Sequence, residues 1–139
     1  MTSIESAGNS QPHLTACPSI LCVEDDVDMG EMMQSFLEAE GYEVTLAATK
    51  RAALDQIATN HFDVIVTDHL LPDGTGAELL QEAVRRGILN GTRAVMVTAN
   101  ANPERIVRPR GVRAFAKPVD IERFLTAVRE LATQPPSGV

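Results

Sequence analysis

Short apolar runs alternate with segments of helical periodicity along most of this chain, and that alternation restricts the fold more than any other feature. The runs are 19–23, 44–47, 63–67, 94–98 and 112–116. The third run contains Val64-Ile65-Val66, which is apolar without alternation, as expected of a strand that helices cover on both faces. Five strands in strict alternation with helices predict an α/β fold with a doubly wound parallel sheet.

The segments between these runs carry helix signals. Apolar residues recur at helical spacing within residues 27–40, before the helix stop at Gly41, and we expect them to pack in the core: Met29, Met32, Met33, Phe36 and Leu37. Thr49 is predicted to cap the second helix, and later helices are predicted over 77–86 and 121–132. The segment 103–107 is at most a short helix, because Pro103 and Pro109 restrict it.

Charged residues follow three of the predicted strands. Glu24-Asp25-Asp26 come after the first strand, Asp68 after the third and Lys117 after the fifth. The carboxyl ends of parallel strands meet at one edge of the sheet, where ligands bind. Two like charges ~5 Å apart at an effective dielectric of ~20 repel by roughly 3 kcal/mol. The pattern therefore predicts a divalent cation among the carboxylates and an anion beside the lysine.

Composition limits the remaining possibilities. The 139 residues are 44% hydrophobic and 22% charged, which predicts one domain over residues 18–132 between flexible tails at 1–17 and 133–139. A net charge of −7 argues against nucleic-acid binding. We expect no membrane span, no signal peptide and a cytoplasmic location. Cys17 and Cys22 lie along one extended strand, so they are predicted to be buried free thiols.

Residues 19–132 resemble the receiver domain of bacterial two-component response regulators, in the stand-alone, chemotaxis-receiver-like form. The resemblance rests on four motifs in order, each at a strand end: Glu24-Asp25, Asp68 with Leu71-Pro72-Asp73-Gly74, Thr98-Ala99, and Lys117-Pro118. It implies a flavodoxin-like (βα)5 fold with a five-stranded parallel sheet of order 2-1-3-4-5.

The resemblance implies a phosphoacceptor and a magnesium site. Asp68 would accept a phosphoryl group from a phosphohistidine on a sensor histidine kinase or a phosphotransfer protein. Mg²⁺ would be held by Asp25, favoured as the direct ligand, with Glu24 acting through water, together with Asp68 and the backbone carbonyl of Leu70. Mg²⁺ suits such a site because it accepts one or two carboxylates and keeps several waters.

The resemblance also assigns the groups that would meet the phosphoryl group after transfer. Thr98 would form a hydrogen bond with it and Lys117 would pair with it. The Lys117–Pro118 bond would be cis, as in the family. Lysine suits this role because its ammonium is a mobile point charge.

The predicted function is a phosphorylation-controlled protein-interaction switch, not an enzyme, with self-catalysed phosphotransfer and slow autodephosphorylation. Its partners would be the phosphodonor and an unknown downstream protein, and it would be a monomer or weak dimer. A phosphate-independent interaction module of the same fold, or a receiver segment of a longer hybrid protein, stays open. A phosphohydrolase would need an acid where the chain has Leu70. A flavin-binding loop would not contain Glu24-Asp25-Asp26, which repel phosphate.

The chain departs from the family pattern near its fifth strand. Many receivers have an aromatic residue three positions before the lysine, where this chain has Ala114. Phe115 should face the opposite side of the sheet, because strand side chains alternate, and we expect it in the core. The sequence therefore predicts activation by ordering or shifting of residues 100–113 in place of an aromatic rotamer change.

Other polar residues have local interpretations. Asp26 is predicted to act as an acid at a helix N-terminus, and His69 as a surface-loop histidine. Four arginines of the region before Lys117 form either a solvated basic rim or a docking site for an acidic partner: Arg105, Arg108, Arg110 and Arg113.

Overall fold

The computed structural model describes residues 17–89, 91–100 and 102–133. The strands and α-helices follow in this order: β1 (Ser19–Val23), α1 (Val27–Ala39), β2 (Glu43–Ala47), α2 (Lys50–Thr59), β3 (Val64–Asp68), β4 (Leu70–Leu71), β5 (Gly74–Thr75), α3 (Gly76–Arg86), β6 (Arg93–Thr98), β7 (Arg113–Ala116) and α4 (Ile121–Thr133). The parallel sheet has the order β2-β1-β3-β6-β7. This confirms the predicted order 2-1-3-4-5, since β6 and β7 are the fourth and fifth strands of that sheet.

Two apolar clusters cover the two faces of the sheet. On one face, side chains of β1 and β3 pack with α2 and α3, including Leu54, Leu79 and Leu80. On the other face, strand residues pack with α1 and α4, including Leu37 and Phe124. The unalternating strand β3 contributes Val64 and Val66 to one cluster and Ile65 to the other, as predicted for a strand buried on both sides.

Side-chain caps begin the first three helices. The Asp26 carboxylate accepts from the backbone N–H of Met29 and starts α1, which confirms its helix-terminal role. Thr49 accepts from the N–H of Ala52 and starts α2, also as predicted. Thr75 and Glu78 form a reciprocal capping box at α3.

A hairpin that the sequence did not predict follows β3. The two-residue strands β4 and β5 pair antiparallel, and Pro72 and Asp73 form the turn between them. Leu71 is buried in the core cluster beneath α3, while Leu70 is 65% exposed. Strands of two residues have no periodicity to detect, so the sequence indicated only a turn here.

Between β6 and β7, the described residues 99–100 and 102–112 contain one 3₁₀ turn, Pro103–Arg105. This confirms that the region holds at most a short helix. Arg108 organises the rest: its guanidinium donates to the carbonyl oxygens of Val112 at 2.7 Å, Ile106 at 2.8 Å and Pro103 at 3.1 Å. Arg108 therefore stabilises its own loop through hydrogen bonds and is not a solvated residue of a basic rim.

Arg113 is also engaged. Its guanidinium lies 2.9 Å from the Glu130 carboxylate and 5.8 Å from the ring centroid of Phe115. Phe115 packs against the cluster on the α1 and α4 face, while Ala114 packs against the opposite cluster. The predicted orientation of Phe115 is confirmed, although its side chain is only partly buried.

Two predictions of burial are wrong in part. In α1, Met33 and Leu37 are buried, but Met32 and Phe36 are 43% and 39% exposed. The exposed pair borders an apolar groove of about 230 Å³ that extends to Lys117 and Pro118. The spacing of apolar residues correctly predicted an apolar face on α1. Only part of that face packs in the core, and the part that includes Met32 and Phe36 is exposed.

The prediction that both cysteines are buried is correct for only one of them. Both are free, as predicted, but Cys17 is exposed and only Cys22 is buried. Burial, with the charges of Glu24 and Asp68, raises the pKa of Cys22 to about 12, so its thiol stays protonated.

The predicted tails, 1–17 and 133–139, fall outside the described residues except for Cys17 and Thr133. Thr133 is the last residue of α4, where its hydroxyl donates to the carbonyl of Arg129. Among the described residues, none of the helices combines the length and apolar character needed to cross a bilayer.

Candidate functional site

Three predicted acids meet at the carboxyl edge of the sheet. Glu24 and Asp25 follow β1, and Asp68 is the last residue of β3. One carboxylate oxygen of each lies within 4.8 Å of the others. Asp25 and Asp68 border a cleft of about 360 Å³, which is also lined by Leu70, Leu71, Pro72, Ala99 and Lys117. The sheet topology thus brings together residues that are up to 44 positions apart (68 − 24).

Lys117 joins this acidic group from the end of β7. Its Nζ lies 3.1 Å from Oδ2 of Asp68 and 3.5 Å from Oε1 of Glu24. Burial disfavours the ammonium, but the hydrogen bond and attraction of Asp68, followed by Glu24, outweigh it and raise the pKa of Lys117. The lysine is therefore charged and held against the carboxylate of Asp68. The peptide bond to Pro118 is cis, as the resemblance implied.

Glu24 is the most enclosed of the three acids, with only 5% of its side chain exposed. Desolvation raises its pKa, against the opposing effect of a hydrogen bond from the backbone N–H of Asp26 at 3.1 Å. Asp25 is exposed at the mouth of the cleft. The group thus contains one buried acid and one that solvent reaches freely.

Thr98 and Leu70 occupy different positions relative to the cleft. Thr98 is only 2% exposed, and its hydroxyl accepts from the backbone N–H of Asn100 at 3.0 Å. The carbonyl of Thr98 accepts from the backbone N–H of Lys117 at 2.7 Å, which links β6 to the lysine. Ala99, not Thr98, lines the cleft wall, and Leu70 lines it from β4.

His69 lies in the connection between β3 and β4, as predicted, but its side chain is less exposed than a surface-loop residue would be. It is partly buried, and its backbone N–H donates to the carbonyl of Val97 at 2.8 Å. Its Nδ1 is buried without a hydrogen-bond partner among the described residues.

Gly76, which is not among the predicted site residues, lies against the backbone of Asp68. A Cβ at this position would lie 2.4 Å from the Asp68 carbonyl oxygen and 3.0 Å from Cγ2 of Thr67. The backbone N–H of Gly76 donates to the carbonyl of His69. This close approach requires glycine, and the Gly74-Thr75-Gly76 pattern after the turn is the signal that could have indicated it.

The arrangement suits a hard cation and an anion together. When ionised, the three acids and Lys117 carry a formal charge of −2 (−3 + 1). Carboxylate oxygens are ligands that Mg²⁺ prefers, and the lysine beside Asp68 provides a positive charge for an incoming anion.

The comparisons with known proteins agree with this geometry. The response regulator receiver domain family matches residues 20–129. The polar-differentiation response regulator DivK of Brucella ovis is 29% identical over 114 residues, covering 80% of this chain and 93% of DivK. The response regulator ArlR of Staphylococcus saprophyticus is 28% identical over 120 residues, which are 84% of this chain but 53% of ArlR, so the chain spans about half the length of that relative.

Solved structures give the same result. The chemotaxis response regulator CheY4 of Vibrio cholerae has a TM-score of 0.76 and 28% sequence identity. The similarity covers 84% of this chain and 99% of CheY4.

Proposed function

Since the chain belongs to the response regulator receiver domain family, we propose that Asp68 is its phosphoacceptor. The observation that carries this proposal is the contact of the Asp68 carboxylate with Lys117 at 3.1 Å, with the carboxylate oxygens of Glu24 and Asp25 within 4.8 Å of that of Asp68. Asp68 is 11% exposed at its side chain, so it is enclosed yet open to the cleft. In the transfer, the P–N bond of a phosphohistidine breaks as a P–O bond to the carboxylate forms, and the imidazole nitrogen takes up a proton.

Magnesium is the cofactor that fits these residues. Asp25 would bind it directly, Glu24 through water, and Asp68 and the Leu70 carbonyl would complete the protein ligands. The fit rests on three carboxylates whose oxygens lie within 4.8 Å of one another and on Leu70 in the same cleft. When bound, Mg²⁺ neutralises charge on the phosphoryl oxygens, which is the main requirement of phosphoryl transfer.

Lys117 and Thr98 are proposed to hold the phosphorylated state. Lys117 would exchange part of its contact with Asp68 for the phosphoryl oxygens. Thr98 accepts from Asn100 but keeps its own hydroxyl hydrogen to donate. Since Thr98 is buried beside Ala99, a small movement would bring this donor to the cleft.

The biological role that follows is a switch in the cytoplasm. The chain would receive its phosphoryl group from a sensor histidine kinase or phosphotransfer protein and transmit the change to a downstream protein. Phosphotransfer would be catalysed by the receiver itself, and the acyl phosphate would hydrolyse slowly.

Mass spectrometry after incubation with acetyl phosphate and Mg²⁺ tests the proposal. The wild type should gain the mass of one phosphoryl group, and Asp68→Asn should gain none. Asp28→Asn is the matched control, because Asp28 is an exposed acid on α1 outside the cluster, and it should be modified like the wild type. An unmodified wild type would instead favour the phosphate-independent interaction module.

A further inference from the structure

We propose that Asp73 is a positioning residue of the phosphoacceptor site, because it binds the hairpin that follows Asp68 to the start of α2. This inference rests on the proposed function. Asp73 lies in the turn between β4 and β5. Its Oδ1 accepts from the backbone N–H of Lys50 at 2.7 Å, and its Oδ2 accepts from that of Arg51 at 3.0 Å.

The helix end that Asp73 binds needs outside acceptors. The first amides of an α-helix have no partner within it. In α2, Asp73 satisfies those of Lys50 and Arg51, and the Thr49 hydroxyl satisfies that of Ala52. Both oxygens of one carboxylate are thus used across 22 and 23 residues of sequence. Asp73 is therefore a tertiary contact between the hairpin and α2, whereas Thr49 is a local cap.

The other end of the same hairpin forms the wall of the cleft. Leu70 lines the cleft and is proposed to present its carbonyl to the metal, but the residue is 65% exposed, so its side chain anchors it little. Leu71 is buried and fixes one side of the hairpin. Asp73, two residues further, fixes the turn. The position of the Leu70 carbonyl is set by these two attachments together.

The contact is charge-assisted. The hydrogen bond from the Lys50 amide, supported by that of Arg51 and by the Lys50 charge, holds the pKa of Asp73 below its ordinary value despite some desolvation. The Lys50 ammonium is also tied to Glu82 of α3 at 3.8 Å. The carboxylate is thus ionised near neutral pH, where its hydrogen bonds to amides are strongest.

The test compares Asp73→Ala with Thr49→Ala. Both remove a side-chain cap from the same helix end, but only the first releases the hairpin. For each variant we would measure the free energy of unfolding in urea, the Mg²⁺ affinity by calorimetry and the initial rate of phosphorylation by acetyl phosphate. Asp73→Ala should weaken Mg²⁺ binding by roughly 10-fold, as loss of supporting contacts does at metal sites, and should slow phosphorylation. Thr49→Ala should leave both within about 2-fold of wild type while losing stability.

Asp73→Asn keeps one oxygen that can accept a hydrogen bond, so its Mg²⁺ affinity and phosphorylation rate should fall between those of wild type and Asp73→Ala. This variant tests the positioning role if Asp73→Ala folds poorly. The positioning role would be overturned if Asp73→Ala and Asp73→Asn bound Mg²⁺ as tightly as wild type. It would also be overturned if Thr49→Ala lost as much Mg²⁺ affinity as Asp73→Ala.

Asp25→Ala separates this outcome from failure of the proposed function. If the wild type binds no Mg²⁺, or Asp25→Ala binds it as well as the wild type, the metal site itself is wrong and the role of Asp73 is refuted with it. If Asp25→Ala loses binding and the Asp73 variants do not, only the positioning role is refuted.

Discussion

Two segments leave the same edge of the sheet beside the cleft, and they are held in place differently. The segment 69–76 after β3 is bound to other elements: Asp73 to α2, His69 to β6 and Leu71 to the core. The segment 102–112 after β6 is bound mostly to itself, through the three carbonyl contacts of Arg108. Ile106 is its buried anchor.

This difference separates a fixed part of the site from a part that can move as a unit. A phosphoacceptor has to stay aligned with its metal ligands, so its flanking segment gains from external contacts. A segment tied to its own carbonyls can shift relative to the sheet without losing those hydrogen bonds. Thr98 links the end of β6 to the second segment, since its hydroxyl accepts from the N–H of Asn100, whose side chain in turn accepts from the N–H of Asn102.

The strongest challenge to this comparison is Gly76→Ala. The new methyl group would meet the Asp68 carbonyl at 2.4 Å, so we expect a loss of about 2–3 kcal/mol in the free energy of unfolding together with slower phosphorylation. Gly111→Ala is the control in the other segment. It has φ +87 and open space around it, so it should cost about 1 kcal/mol and leave phosphorylation unchanged. Equal effects on phosphorylation would contradict a fixed hairpin.

Arg108→Ala sharpens the comparison from the other side. Removing the guanidinium takes a donor from three carbonyls, of which that of Pro103 still accepts from the backbone N–H of Ile106. We expect a loss of about 1–2 kcal/mol in stability. Amide hydrogen exchange should accelerate across 102–112 and stay unchanged across 69–76. Arg110→Ala, a change at an exposed arginine, should alter neither segment. Faster exchange in the hairpin as well would show that the two segments are not independent.

The smallest expected effect is a pH dependence of the hairpin contact. The pKa of Asp73 is below its ordinary value of 3.8 in the folded protein, so its contribution to stability is present above that value. The contribution is lost as pH falls through the lower, folded-state pKa. The difference in unfolding free energy between wild type and Asp73→Asn should thus be constant near neutral pH and shrink below about pH 4. A difference that grows on acidification would contradict the assigned sign.

The sequence predicted the main sheet and the charged edge because both depend on local patterns. Unalternating apolar runs mark β1 and β3, and the acids after them must meet Lys117 once the strands are parallel. The hairpin escaped prediction because its two-residue strands have no period, and the partner of Asp73 lies 23 residues earlier. The buried Nδ1 of His69 and the carbonyl contacts of Arg108 escaped prediction for a similar reason, because polar residues in loops are usually solvated and only the tertiary structure shows what these two contact.

Folding kinetics should reflect how far apart the cleft residues are in the chain. Asp73 reaches Lys50 across 23 residues, whereas Lys117 reaches Glu24 across 93 (117 − 24). The entropy of closing a loop grows with its length, and distant contacts form late for that reason. The hairpin and α2 can therefore join while the acids still lack their lysine. During synthesis, Glu24 and Asp68 emerge well before β7, so a nascent chain that has paired β1 with β3 but ends before Lys117 would hold the two carboxylates together without the lysine.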